Sequence, residues 1–150
     1  MVQMYPVFAA RMGEAHLATG DIETALNILS IPERLDVPLA EHSFGWRYLF
    51  IAQGRALLAA GRLAEAQAAA ERALALAEQR GEPPQQAYAT HLLGEIARAG
   101  NPQNRTLANT YFKRALMFAE KCGMKAMIAA CRHAMENAAD RNKEPSIADR

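Results

Sequence analysis

Residues 10–29 read ARMGEAHLATGDIETALNIL, and residues 51–70 read IAQGRALLAAGRLAEAQAAA. Set one above the other, Gly13 falls on Gly54 and Ala25 on Ala66. A third copy begins at HLLGEIARAG (91–100), which brings Gly94 onto the same position, and resumes at LANTYF (107–112). The three interior glycines are 41 and 40 residues apart. Glycine inside a helix is about 1 kcal/mol worse than alanine, so three such placements need a packing reason. The one expected is a missing side chain where a neighbouring helix crosses. A second small position follows at Ala25, Ala66 and Ala108. Four residues later stand Leu29, Ala70 and Phe112, and three further on Pro32, Ala73 and Ala115. The glycine-to-alanine interval is 12, 12 and 14, which puts two extra residues into the third loop, AGNPQNRT (99–106). This is one helical hairpin written three times, and self-similarity at a fixed period marks a repeat architecture.

The rest of the chain agrees. Val and Ile are sparse and never alternate with polar residues, while Ala, Leu, Glu, Arg and Gln dominate, so strands are not expected. Gly and Pro cut the sequence into helix-sized lengths, predicting helices over 4–19, 22–31, 41–60, 62–80, 84–99, 104–122 and 124–139. Asp21 is placed to cap the second. Pro83 and Pro84 suit a first turn, where a missing N–H is no loss. The connector IPERLDVPLAEH (31–42) holds two prolines that should keep most of it out of a helix. The expected organisation is one repeat domain over 1–140, with hairpins at 5–35, 42–81 and 84–122, a closing helix at 124–139, and a polar tail at 141–150.

Composition narrows the class. With 51% hydrophobic and 22% charged residues the 150-residue chain is globular and large enough for one real core. Its 17 basic and 16 acidic residues are dispersed, with no basic run to serve as a nucleic-acid footprint. Cys122 and Cys131, nine apart on helical sequence, would sit about 13 Å apart along one helix, beyond disulfide reach. A reducing cytoplasm suits them. The start, MVQMYPVFAARMGEAH, lacks the pattern of a signal peptide, and no apolar run approaches membrane-spanning length.

Two stripes carry the packing expectations. In GRLAEAQAAAERALALAEQRG (61–81), Ala66, Ala70 and Ala73 share one helical face. Small residues there let a neighbouring helix approach toward the lower end of the usual range of about 8–10 Å. In the last helix Met124, Met127, Ile128, Cys131, Met135 and Ala138 form an apolar stripe. It should cover the bare face of the last hairpin, as a solenoid's closing helix does. The alternative is a partner or dimer contact through Met124, Met127, Ile128 and Met135, because methionine adapts to many surfaces.

The recurring residues resemble the tetratricopeptide repeat, whose pattern runs W-x2-L-G-x2-Y, a small residue, then A-x3-F-x2-A. Leu93-Gly94 matches its L-G step, Gly13 and Gly54 its glycine, and Ala108, Phe112 and Ala115 its second half. The pattern's tryptophan is replaced by Ala9, Phe50 and Thr90, and its tyrosine by His16, Leu57 and Ala97. The longer period is similar to that of maltose-regulator-like signalling ATPases. TYFKRALMFAEKCGMKAMIAACRHA (110–134) is similar to the closing repeat of bacterial proteins that join nucleotide-cyclase and ATPase domains to such repeats. The resemblance spans residues 5–137 and implies a right-handed α-α superhelix, the first helix of each hairpin lining its concave groove. Carried over by alignment, the groove positions are Val7, Ala10, Arg11, Glu14 and Leu17, then Tyr48, Ile51, Arg55 and Leu58, then Tyr88, His91, Leu92, Glu95 and Arg98. Arg11, Glu14, Tyr48, Arg55, Tyr88, His91, Glu95 and Arg98 are the candidate partner-binding residues. The Lys/Asn set with which chaperone-binding relatives clamp a terminal carboxylate is missing, which argues against an EEVD-type tail.

No catalytic set emerges. There is no phosphate-binding G-x-x-x-x-G-K-[ST], no H-E-x-x-H and no C-x-x-C, so neither the ATPase chemistry of the relatives nor a metalloenzyme is expected. Cys122, Cys131 and His133 do not form a metal set, because a helix break separates the first and two ligands at i, i+2 point apart. Both thiols are expected to be buried. His91 and Glu95, four apart, suit a side-chain hydrogen bond rather than a metal. His16 should be a packed imidazole and His42 exposed. The sequence therefore predicts a cytoplasmic all-α solenoid with no cofactor or metal, touching neither nucleic acid nor membrane. It would hold a protein or peptide partner in its groove as a regulatory part of a bacterial signalling protein. Homodimerisation and small-molecule sensing are the alternatives.

Overall fold

In a computed structural model the described residues are 4–34 and 45–140, and all their regular structure is helical. The helices are α1 (Tyr5–Ala18), α2 (Ile22–Leu29), α3 (Ile31–Arg34), α4 (Trp46–Ala59), α5 (Leu63–Arg80), α6 (Pro83–Gly100), α7 (Arg105–Lys121) and α8 (Lys125–Asp140). A 3-10 turn, Pro102–Asn104, precedes α7. The expectations for His42, the start of the helix placed at 41–60 and the tail at 141–150 lie outside the described residues.

Local signals act as the side chains dictate. Asp21 Oδ1 accepts from the Thr24 backbone N–H at 3.2 Å and caps α2, and hydrogen bonding from Thr24, its side chain first and its backbone second, holds the Asp21 carboxyl below its ordinary pKa. Pro83 and Pro84 open α6. Gly81, at φ 63°, ends α5 in the left-handed conformation that only glycine adopts without strain. The loop insertion of the third copy becomes the 3-10 turn, capped where Asn101 Oδ1 accepts from the Gln103 N–H. The first four residues of the connector form α3, with Pro32 buried at its second position, where no intrahelical N–H is needed; the rest of the connector lies outside the described residues.

Successive helices pack on one another except α3 and α4, α3 resting on α1 and α2 instead, and α4 also meets α1, α2 and α6. The three interior glycines mark the close approaches. A methyl group on Gly13 would lie 2.5 Å from Leu29 Cγ, and one on Gly94 would lie 2.7 Å from the Phe112 ring. Leu29 and Phe112 hold the same place in the first and third copies. In the middle copy that place is Ala70, and the space above Gly54 is taken by Leu92 of α6, whose Cδ2 would be 2.7 Å from the added carbon. The small positions Ala25, Ala66 and Ala108 are all buried, as are Pro32, Ala73 and Ala115. Ala9, Phe50 and Thr90 are buried too. Ala66, Ala69, Ala70, Ala73 and Ala77 of α5 face inward, while Glu65, Gln67, Glu71, Arg72 and Glu78 face water with Ala64, Ala68 and Ala75.

Polar seams complete the stack. Gln53 Nε2 donates to the Leu29 carbonyl at 2.9 Å, and Gln86 Nε2 to the Ala77 carbonyl at 3.2 Å. Each reaches a carbonyl in the last turn of an earlier helix, α2 for Gln53 and α5 for Gln86. At the far end Met127 and Cys131 of α8 pack with Ala87, Ala115 and Ala119. Met124 and Ile128 lie against the same cluster, and Met135 against Ala108, Phe112 and Ala134. The methionine stripe is thus engaged within the chain.

Candidate functional site

Between α1, α4 and α6 lies an open cavity of about 430 Å³. From α1 come Val7, Ala10, Arg11 and Glu14, three- and four-residue steps along one face. Tyr48, Ile51 and Arg55 come from α4 by the same spacing, and Gln85 and Tyr88 from α6. Five of the eight candidate residues meet here: Arg11, Glu14, Tyr48, Arg55 and Tyr88.

The walls are cross-linked. Arg55 Nη1 donates to Glu14 Oε1 at 2.8 Å, tying α4 to α1, with its guanidinium 5.9 Å from the Tyr88 ring centroid. Both side chains are about a third exposed, so the pair is worth no more than about 1 kcal/mol. Behind Tyr48, the buried Arg47 places Nε 2.6 Å from Glu82 Oε2 and its guanidinium 5.1 Å from the Tyr48 ring centroid. That ion pair joins the start of α4 to the residue preceding α6, which fixes Tyr48 and Gln85 relative to each other. Gln85 Nε2 donates to the Tyr48 hydroxyl at 3.1 Å. The other amide atom, Gln85 Oε1, is buried with no hydrogen-bond partner. Two guanidiniums and one carboxylate give the lining a net charge of +1.

The remaining candidates lie elsewhere. His91 packs its ring 5.3 Å from that of Phe112, and Arg98 carries its guanidinium 5.5 Å from the same ring. The expected His91–Glu95 hydrogen bond is not made, since the nearest atoms are 3.7 Å apart. Burial pushes the His91 imidazole below its ordinary pKa; Glu95 opposes this, and Arg55 and Arg98 add to it. His91 is therefore neutral near pH 7. Leu92, expected to face the groove, is turned into the core by the space over Gly54. Leu17 and Leu58 pack beside core clusters instead of lining the cavity.

Three further expectations are corrected. His16 is not a packed imidazole: it is half-buried, 3.4 Å from Asp21 Oδ2. Cys122 is exposed at the end of α7, whereas Cys131 is buried and its thiol is pushed up to about 11 by that burial. Among the described residues the large apolar side chains most open to solvent are on α1 and α7, not α8, Met117 of α7 being 57% exposed. Phe8 and Met12 are 61% and 55% exposed, with Met4 and Tyr5 beside them. Their four-residue spacing was readable, but not that the face would be uncovered.

Sequence reasoning also missed Gln85 and the Arg47–Glu82 pair. Gln85 stands one turn before Tyr88, which is the only signal for it. Among the described residues no three His, Cys, Asp or Glu side chains gather as a metal site, and no helix is long and apolar enough to cross a membrane. No protein-family model matches the chain, and neither a curated protein nor a solved structure matches it significantly.

Proposed function

We propose that the chain is a tetratricopeptide-like right-handed superhelix whose α1–α4–α6 groove docks a segment of a partner protein. It acts as a regulatory scaffold in signalling, with no bond made or broken. The observation that carries this reading is the convergence of Arg11, Glu14, Tyr48, Arg55 and Tyr88 on one cavity. Tyrosine and arginine are the side chains that dominate binding centres, since each joins apolar area to a polar end. The cavity floor of Ala10 and Ile51 is apolar, and four of its polar side chains are held in place by the Arg55–Glu14 and Gln85–Tyr48 hydrogen bonds. An affinity near micromolar, about −8 kcal/mol, suits a site of this size. Affinity capture with the wild type beside an Arg55→Glu, Tyr88→Ala variant tests it. Partners held by the wild type and lost by the variant support the groove; the same partners on both refute it.

Self-association is the second reading, favoured by the exposed Phe8 and Met12 on α1. The stripe of α8 is already occupied, so a dimer would use the opposite end of the helix series. Sedimentation equilibrium decides: a dimer dispersed by Phe8→Glu supports this reading, and a monomer at all concentrations removes it.

A further inference from the structure

We infer that the exposed face of α1 docks an amphipathic helix of a partner protein, one that presents a face of alanines and lies on α1 as α2 lies on α4 and α5 on α6. Tyr5, Phe8 and Met12 carry this face, and the threefold register shows what such a face meets. Counted from Gly13, Gly54 and Gly94, Phe8 stands where Leu49 and Ala89 stand in the second and third copies. Phe8 is 61% exposed, whereas Leu49 and Ala89 are fully buried. Met12 corresponds to Gln53 and Leu93, and Tyr5 to Trp46 and Gln86; all four of those are buried. The helix that precedes each of these faces covers it. Trp46 and Leu49 share a cluster with Ala25 and Leu29 of α2, and Leu93 of α6 packs with Ala66 and Ala70 of α5. α1 meets α2, α3 and α4, and among the described residues no helix takes the corresponding place on its outer side.

The inner interfaces define the chemistry of the helix that fits. Each sets small residues against larger ones: Ala66 and Ala70 of α5 meet Leu93, and at the far end Ala115 and Ala119 of α7 meet Met127. Facing positions that alternate in size interdigitate without voids. α1 supplies the large side, a phenylalanine and a methionine, so its complement is an alanine face that lets the two helices approach closely. The inner interfaces also set the direction. Gln86, in the first turn of α6, donates to the Ala77 carbonyl in the last turn of α5. Tyr5 holds the position of Gln86 in the first turn of α1, and its hydroxyl can donate in the same way. The docked helix therefore ends beside Tyr5 and runs antiparallel to α1. A second copy of the chain fits less well, because the alanine faces of its α5 and α7 are buried within its own stack and α1 against α1 sets bulk on bulk.

The experiment uses the full chain and, as probe, a labelled synthetic peptide of residues 62–81, the α5 sequence whose alanine face already covers α6. Binding is read by fluorescence anisotropy. The wild type should bind the peptide saturably, and Phe8→Glu should bind it about tenfold more weakly, because a carboxylate then faces an apolar helix. Tyr5→Phe should weaken binding about threefold through the lost carbonyl contact. A peptide carrying Ala66→Leu and Ala70→Leu should bind the wild type about tenfold more weakly, its small face being filled. The Arg55→Glu, Tyr88→Ala variant should bind as the wild type does, since those residues line the groove. Phe8 is exposed, so Phe8→Glu should keep the wild-type Tm, which separates lost binding from misfolding. No saturable binding, or equal binding to wild type and Phe8→Glu, overturns the inference. So does binding lost on Arg55→Glu, Tyr88→Ala but kept on Phe8→Glu, an outcome that leaves the groove reading in place. A dimer in sedimentation equilibrium that Phe8→Glu disperses gives the face to a second copy and likewise overturns it.

Discussion

The outer glycine crossings and the middle one solve the same packing problem with different atoms. Over Gly13 and Gly94 the space is filled from the next helix in the chain that belongs to the same copy, by Leu29 and Phe112. Over Gly54 the corresponding residue is Ala70, too short to reach, and Leu92 enters from the following copy. An interior glycine therefore marks where two helices touch, but the volume of the residues around it decides which side chain enters. The middle solution also affects the site. Leu92 is drawn inward, and the cavity surface of α6 is left to Gln85 and Tyr88.

Removing a plug should have the largest effect. Phe112 is 1% exposed, and Phe112→Ala should lower the unfolding free energy by about 3–5 kcal/mol in urea titration. Next is the alanine seam of the middle copy. Ala66 is fully buried with its carbonyl facing the Gly54 crossing, so Ala66→Leu should cost about 1–3 kcal/mol by overpacking. No loss in the same titration would show that the seam is looser than the contacts imply.

Adding one methyl separates the crossings. Gly13→Ala meets three carbons of Leu29 within 3 Å, a clash that should outweigh the gain of about 1 kcal/mol from better helix propensity. Gly54→Ala meets only the terminal Cδ2 of Leu92 that closely, so it should change stability by less than about 1 kcal/mol. Equal losses at the two sites would erase the distinction.

The smallest effect is on pH dependence. His91 has a folded pKa below its ordinary 6.5, chiefly because it is buried. Between the folded value and 6.5 the unfolded chain holds more protons, so this contribution to stability is complete above 6.5 and lost as the pH falls through the folded pKa. The thermal midpoint of His91→Gln should therefore fall less between neutral and mildly acidic pH than that of the wild type. Parallel curves would show that His91 is solvated.

Much of this was legible in the sequence because it depends on backbone register. The spacing of Gly13, Gly54 and Gly94, the inward alanines and the cap at Asp21 follow from helical geometry. The placing of Arg11, Glu14, Tyr48, Arg55 and Tyr88 together came instead from the repeat resemblance, carried over by alignment on the three glycines. What was not legible depends on side-chain length and on contacts far apart in the chain. The same register placed Leu92 in the groove, but the short Ala70 opened a better place for it. Gln85 gains its meaning from Tyr48, 37 residues earlier, and no local pattern announces that bond. Likewise the four-residue step from His91 to Glu95 predicted a hydrogen bond, whereas the imidazole packs beside Phe112 with its nitrogen 3.7 Å from the carboxylate. Residue spacing locates a helix face; the neighbouring volumes decide what occupies it.

A double-mutant cycle on Ala70→Leu and Leu92→Ala tests the equivalence of the three crossings most directly. Each change alone should destabilise, the first by overpacking and the second by leaving a cavity. Together, the leucine introduced at position 70 should enter the space over Gly54 as Leu29 enters that over Gly13, and a coupling of at least about 1 kcal/mol should be recovered. Additivity to within about 0.5 kcal/mol would mean that position 70 does not face that space, and the three crossings would not be copies of one design.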